Sequence, residues 1–234
     1  LKYKGENNSL EIGEQNWYGD LPPEILIRDI KEFCNDSDKE DLTVKLKSHI
    51  KDFPYDTFLF DVAKIFYQIF FRPKTIHSID LHGTSRSMRL DLNKEHKLEN
   101  KYDCIINLGT AEHIFNVSQV FRSIHEWVKV DGLIIHNLPM SGEVDHGFYN
   151  FHPTFFWDLS YINNYKNIVM AKSVGNDIKL YSNRKSFSKD ILSMESNISS
   201  GIWAIHKKTS SSKEFKIPLQ GVYDDNLSNS DIKE

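Results

Sequence analysis

The stretch from Tyr102 to Pro153 narrows the possible folds of this chain more than any other. Two apolar runs, Tyr102-Asp103-Cys104-Ile105-Ile106-Asn107-Leu108 and Leu133-Ile134-Ile135-His136-Asn137-Leu138, each break into a polar cluster that contains glycine. Between them Ile114, Val117, Val120, Phe121, Ile124 and Val128 recur at helical spacing, so one apolar stripe runs along the segment. Strands that are apolar on consecutive positions are buried on both faces, which calls for helices above and below the sheet. The stretch therefore predicts strand, loop, helix, strand and loop of a parallel sheet. In such sheets ligands sit outside the carboxyl ends of the strands.

A chain of 234 residues, 39% hydrophobic and 26% charged, can bury one sizeable core, and this composition excludes collagen-like, disordered and disulfide-rich classes. The net charge of -4 leaves no basic footprint for nucleic acid. No apolar run reaches the roughly 18 residues of a membrane span, and residues 1–10 lack the apolar core of a signal peptide. The expectation is one cytoplasmic domain over residues 1–223 and a solvated tail over residues 224–234, with neither a membrane nor a nucleic-acid partner. Cys104 sits in an apolar run and Cys34 in a charged helical segment. Neither has a Cys or His at metal-ligand spacing, so no thiolate zinc site is expected. Metal binding by several of His113, His146 and His152 is a further reading, but they include no local pair at helical spacing, and no metal is expected.

Upstream, Ser9-Leu10-Glu11-Ile12 reads as a short strand that ends at Gly13. Leu21-Pro22-Pro23 then opens a helical block over residues 24–72. Ile25, Leu26, Ile30 and Phe33 share one face; Leu42, Val44, Leu46 and Ile50 share another; residues 58–71 are apolar nearly all round and predict a buried third helix. Thr75 to Asp80 and Met88 to Asn93 read as two further strands, each running into an acid, Asp80 and Asp91. Asn167 to Val174 and Gly201 to Lys207 complete the set, while Ile178 to Ser200 is ambiguous. The predicted fold is α/β: a doubly wound, mostly parallel seven-stranded sheet of Rossmann-like type, with a helical insertion between strands one and two.

On one edge of a parallel sheet, strand ends distant in sequence converge. That edge would collect Gly13 to Asn16, Asp80, Asp91, Asn107 with Gly109, and His136 to Met140. An acid at the tip of the second strand can hold ribose hydroxyls, and one after the third can meet an adenine amino group, so a nucleoside-containing cofactor is expected. A dinucleotide fingerprint needs G-x-G-x-x-G and an acid about 20 residues on. Here Gly13 is followed by Glu14 and Gln15, and Asp80 lies beyond the helical block, so a pyrophosphate would lack its cradle. A ligand without phosphate fits better.

These residues resemble the class I S-adenosylmethionine-dependent methyltransferases. Ser9-Leu10-Glu11-Ile12-Gly13 is similar to their first motif, Ser78-Ile79-Asp80 to their second-strand acid and Asp91-Leu92 to their adenine-contacting pair. Asp103 to Asn107 with Glu112-His113, then Asp131 to His136, resemble their fourth- and fifth-strand motifs, and the likeness spans Ser9 to Lys207. Asn107 to His113 together with His146-Gly147-Phe148-Tyr149-Asn150 is similar to a bacterial branch associated with surface-polysaccharide tailoring, capsule phosphoramidate decoration included. The resemblance implies S-adenosylmethionine as cofactor, with Glu11, Gly13, Glu14, Gln15 and Asn16 at its methionine end. It further implies Asp80 and Leu81 at the ribose, Asp91 and Leu92 at the adenine, and Asn107 at the sulfonium, with Gly109 as a further contact. Two features depart from the family: a first loop Gly13-Glu14-Gln15-Asn16-Trp17 poor in glycine, and the long block 24–72, which would form a lid or substrate wall.

The expected reaction is methylation, at oxygen, of a small hydroxylated or phosphorylated acceptor such as a sugar. Attack at a sulfonium methyl is in line and depends chiefly on alignment. A base is needed for an acceptor that carries a proton, and His113, His146 and His152 are the candidates because imidazole titrates near neutral pH. Arg86 and Arg89 flank the third strand and could meet a phosphate. Two other readings remain: a catalytically inert nucleoside-binding or scaffold protein on the same fold, and a nicotinamide-dependent oxidoreductase, which the first loop disfavours.

Overall fold

The computed structural model describes residues 7–17, 21–50, 59–194, 198–209, 211 and 214–223; the expected tail 224–234 lies outside them. The chain runs β1 (Asn8–Ile12), α1 (Pro23–Phe33), α2 (Asp36–Ile50), α3 (Phe60–Phe70), β2 (Thr75–Ile79) and β3 (Tyr102–Leu108). A 3-10 turn at Ala111–His113 leads to α4 (Val117–Trp127) and β4 (Val128–Ser141). Then come α5 (Pro153–Ile162), β5 (Tyr165–Val174), β6 (Asp177–Leu180), α6 (Arg184–Leu192) and β7 (Ser200–Lys208).

The seven strands form one sheet in the order β2-β1-β3-β4-β7-β5-β6. β2, β1, β3 and β4 run parallel, but β7 is antiparallel to both β4 and β5, and β6 is antiparallel to β5. The sheet is therefore mixed, which corrects the mostly parallel expectation. At the β5–β6 end the cause is local: Gly175 and Asn176 alone join the strands, and so short a link closes only an antiparallel hairpin. Gly175 takes the positive φ of 54° that such a turn demands.

Two further expectations need correction. Met88 to Asn93 is not a strand: it makes a single bridge, Ile79 to Met88. Asp91 accepts hydrogen bonds at 3.0 Å from both the N–H and the side-chain amide of Asn93, a local turn that takes this backbone away from any ladder. Nor does the helix after β3 take in the first and last residues of its apolar stripe, Ile114 and Val128. Ile114 is extended (φ -101°, ψ 115°), so the 3-10 turn stands apart from α4.

The pleat sends alternate residues of the central strands to opposite faces. Leu10, Ile12, Ile105 and Ile134 join Val120, Phe121, Ile124 and Trp127 of α4 and Phe156 and Leu159 of α5 in the main core. Cys104, Ile106, Leu133 and Ile135 pack on the other face with Tyr67 of α3. The three helices between β1 and β2 share their own cluster of Leu26, Ile30, Leu42, Leu46, Val62, Ile65 and Ile69. Phe66 packs against both that cluster and the sheet. Ile12 pairs with both Ile79 and Asn107, and Leu108 pairs with Asn137. The carboxyl ends of the four parallel strands thus open level with one another on a single edge.

Candidate active site

At that edge β1 ends in Gly13, whose φ of 77° suits glycine and whose missing side chain matters equally. A Cβ there would lie 2.3 Å from Thr110 Oγ1. The Gly13 N–H donates to the Ile79 carbonyl at 2.8 Å, and the next N–H, of Glu14, donates to Asp80 Oδ2 at 3.0 Å. Asp80 Oδ1 accepts from the His82 N–H at 2.7 Å, so one carboxylate joins the loops after β1 and β2.

Glu14 is almost fully buried, and its carboxylate serves the fold. It accepts from the Thr84 N–H (2.6 Å), Thr84 Oγ1 (3.0 Å), Ser87 Oγ (2.9 Å) and Lys64 Nζ (3.0 Å). Burial alone would raise its pKa, but the bonds from Thr84, Lys64 and Ser87 overcome this and hold it down at about 2. Glu11 is the opposite case. It is fully buried, neither carboxylate oxygen has a hydrogen-bond partner among the described residues, and Lys64 Nζ stands 3.5 Å away. Burial outweighs that ammonium and pushes its pKa up to about 7.

Two adjoining cavities open on the edge. The first, about 740 Å³, lies over the tips of β1 and β2, with Asp80, Thr84 and Thr110 on its polar side and Ile79, Leu90, Leu92 and Ile114 on its apolar side. The second, about 570 Å³, lies toward β4 and β7 and is walled by Trp17, Phe66, Tyr67 and Trp203, with Asn137, Ser173 and Ser200 among its polar groups. Gln15, Asn16, Leu108, Gly109 and His146 line both and form a common wall. Neither cavity has a Lys or Arg among its described lining residues.

Beside the common wall Glu112 and His113, from the 3-10 turn, meet His146 from the loop after β4. Glu112 is fully buried, both carboxylate oxygens lack a hydrogen-bond partner among the described residues, and burial raises its pKa. Its Oε1 lies 3.5 Å from His146 Nε2 and 3.7 Å from His113 Nε2. Gly147 permits the approach: a Cβ there would stand 3.0 Å from the Glu112 carbonyl and 3.1 Å from its Cγ. The Phe148 N–H closes the contact by donating to the same carbonyl at 2.7 Å.

Of the residues singled out from sequence, Gly13, Glu14, Gln15, Asn16, Asp80, Leu81, Leu92, Gly109, His113 and His146 line the first cavity. Glu11, Asp91 and Asn107 line neither. Asn107 is fully buried; its Oδ1 accepts from the Ala111 N–H at 3.3 Å and its amide pairs with His136 Nδ1 at 3.1 Å. His152 is exposed and borders a separate cavity with Asp158 and Pro218. Arg86 pairs with Asp61 at 2.7 Å, and Arg89 donates to the Gly83 carbonyl at 2.8 Å and to that of Leu81. Sequence reasoning missed Glu112 as a buried acid, Lys64 as the cation between Glu11 and Glu14, and the aromatic wall of the second cavity. The adjacency of Glu112 and His113 was the one signal for the first; Lys64 had none.

No protein-family model and no curated protein sequence matches this chain. Among solved structures, it is similar to a Burkholderia thailandensis 1,6-didemethyltoxoflavin N1-methyltransferase with bound 1,6-didemethyltoxoflavin and S-adenosylhomocysteine. That likeness has 11% identity and a TM-score of 0.47, and covers 87% of this chain and 71% of that one. It is also similar to a Bacillus halodurans protein provisionally named a methyltransferase, at 9% identity and a TM-score of 0.47 over 88% of this chain and 94% of that one. A third is a coclaurine N-methyltransferase bound to N-methylheliamine and S-adenosylhomocysteine, at 11% identity and a TM-score of 0.42 over 88% and 68% of the two chains. Such identities and TM-scores match no residue of this chain to one of theirs.

Proposed function

We propose that this chain is an S-adenosylmethionine-dependent methyltransferase that acts at the oxygen of a small, uncharged, hydroxylated acceptor. The observation that carries the reading is the pair of cavities sharing one wall at the carboxyl edge of the parallel strands. Transfer of a group between two bound small molecules needs that arrangement.

The first cavity suits this cofactor. Its apolar side, with Leu90 and Leu92, offers a slot for a flat base. Asp80 uses each carboxylate oxygen once for a backbone N–H and keeps lone pairs for ribose hydroxyls. Gln15 and Asn16 would meet the methionine end. With no Lys or Arg among the described lining residues, a pyrophosphate would go unpaired, which weighs against a nicotinamide dinucleotide. Glu14 holds the loops in place, and its bonded carboxylate is spent on them.

The same lack of cations in the second cavity favours a hydroxylated acceptor over a phosphorylated one. Aromatic faces from Trp17, Tyr67 and Trp203, with Asn137, Ser173 and Ser200 as hydrogen-bonding groups, suit a sugar or comparable ring. A role in polysaccharide tailoring rests on the sequence resemblance alone. Residues of α3 supply Phe66 and Tyr67 to this cavity, so the helical block 24–72 acts as a substrate wall.

When bound, the cofactor supplies an electrophilic methyl carbon: the acceptor's C–O bond forms as the C–S bond breaks, and sulfur keeps the electron pair. The common wall fixes the approach, and alignment of this kind can supply part of the roughly 7–11 kcal/mol available to proximity. The acceptor's proton is managed by the Glu112, His113 and His146 group, whose His146 faces both cavities. Calorimetry with S-adenosylhomocysteine and with oxidised nicotinamide dinucleotides, followed by methyl-transfer assays on hydroxylated acceptors, tests the reading. Binding of the first alone, with turnover, supports it; binding without turnover on any acceptor supports the inert nucleoside-binding alternative.

A further inference from the structure

We propose that Glu112, His113 and His146 form a binding site for one divalent transition-metal ion of the zinc type, at the junction of the two cavities. Each of the three offers a ligand atom, and these atoms lie within 4.8 Å of one another. The separations of 3.5 Å and 3.7 Å from Glu112 Oε1 to the two imidazole Nε2 atoms are too long for hydrogen bonds. They match a shared ion instead. Two ligands each about 2.1 Å from a tetrahedral centre stand about 3.4 Å apart.

A second observation points the same way. Glu112 has no exposed surface, and among the described residues both of its carboxylate oxygens lack a hydrogen-bond donor, with Oε1 toward the histidines. A buried carboxylate without donors is costly unless a cation meets it, and the described lining residues of both cavities include no Lys or Arg to do so. The ligand set is also held in advance. Glu112 and His113 are fixed on one 3-10 turn, and the Gly147 approach with the Phe148 N–H bond brings His146 to them.

The donor set selects the ion. Two imidazoles and one carboxylate suit Zn²⁺ and its neighbours, whereas Mg²⁺ and Ca²⁺ prefer all-oxygen sites. Three protein ligands leave at least one position open, and His146 lines both cavities, so that position faces bound ligands. The use of the ion, unlike the site itself, rests on the methyl-transfer reading. An acceptor hydroxyl at the open position would become more acidic and lose its proton to bulk water, and the oxygen would then form the bond to the methyl carbon.

The test uses the full chain stripped with a chelator and titrated calorimetrically with Zn²⁺, with Co²⁺ followed by visible absorption, and with S-adenosylhomocysteine in parallel. One Zn²⁺ per chain is expected. Glu112→Gln and His146→Ala should each weaken it by more than about 10-fold, since loss of an outer partner of a metal ligand alone costs 10- to 100-fold. S-adenosylhomocysteine affinity should hold in Glu112→Gln, whose side chain does not line the first cavity, and His113→Asn provides a third variant should either fail to fold by circular dichroism. Absence of Zn²⁺ and Co²⁺ binding to the stripped protein, or unchanged binding in folded variants, overturns the site. If Zn²⁺ binds as expected while S-adenosylhomocysteine does not, the metal site stands and the methyl-transfer reading falls.

Discussion

His146 Nε2 stands 3.5 Å from Oε1 of Glu112, a carboxylate that has no exposed surface and no hydrogen-bond donor among the described residues. His146 is also the one histidine that lines both cavities. His146→Ala should therefore cut turnover by about 10²-fold or more, because the imidazole helps to hold the proposed ion that would acidify the acceptor hydroxyl. S-adenosylhomocysteine affinity, read by calorimetry, should change little. Unchanged turnover would remove this group from the reaction.

Asp80 braces the loops after β1 and β2, and the proposed function makes it the ribose partner as well. Loss of a hydrogen bond to a charged group costs about 1.5–3 kcal/mol, so Asp80→Ala should weaken S-adenosylhomocysteine roughly 10- to 100-fold and lower the melting temperature. Asp80→Asn retains one acceptor for the brace and isolates the binding loss. Equal affinity in all three proteins would take Asp80 out of the cofactor site.

Glu11 carries a stability prediction with a definite sign. Its folded pKa is about 7 against an ordinary 4.5, so the folded chain binds a proton that the unfolded chain has lost, and stability falls as pH rises between those values. Glu11→Gln should stabilise the protein at pH 8 by on the order of 2–3 kcal/mol and should do nothing of the kind at pH 4. Thermal denaturation of both proteins at the two pH values decides it. A destabilised variant at pH 8 would mean that the Lys64 contact outweighs the burial cost.

On the acid side the sign reverses. Burial lowers His206 to about 3, and bonded Glu14 sits at about 2, so in both cases the unfolded chain takes up the proton first. The His206 contribution to stability is lost from about pH 6.5 downward, opposing that of Glu11 between about pH 6.5 and 4.5, and the Glu14 contribution is lost in addition below about pH 4.5. His206→Leu should flatten the decline between pH 6 and pH 4 in denaturation experiments. A slope identical to the parent's would assign the acid sensitivity elsewhere.

The parts of the fold that could be read from sequence were those with a local cause. Cys104, Ile105 and Ile106 are apolar in succession because helices cover both faces of β3, and the same logic located β4. Asp91 misled because its residue type suits a strand tip equally well as a turn, and the bonds to Asn93 select the turn. β7 lies between β4 and β5 through pairing that no periodicity encodes.

At the site, Asp80, Gln15 and Gly109 reach the cavity as strand order alone requires. Glu14 and Asn107 have the right chemistry at the right strand ends, yet their polar atoms are engaged by partners far away in sequence: Lys64, Thr84 and Ser87 for one, His136 for the other. The meeting of Glu112 with His146 depends on a loop folding back across the 3-10 turn. The sequence marked His113 and His146 as candidates but not the buried Glu112 between them, and Gly147 is what lets the loop come close.

The central claim is that the cavity over Asp80 takes a phosphate-free nucleoside cofactor, and a calorimetric titration of the full chain with S-adenosylhomocysteine tests it most directly. One molecule bound per chain, weakened in Asp80→Ala and not matched by oxidised nicotinamide dinucleotides, is the predicted result. Failure of S-adenosylhomocysteine to bind, or tighter binding of a nicotinamide dinucleotide, would contradict it.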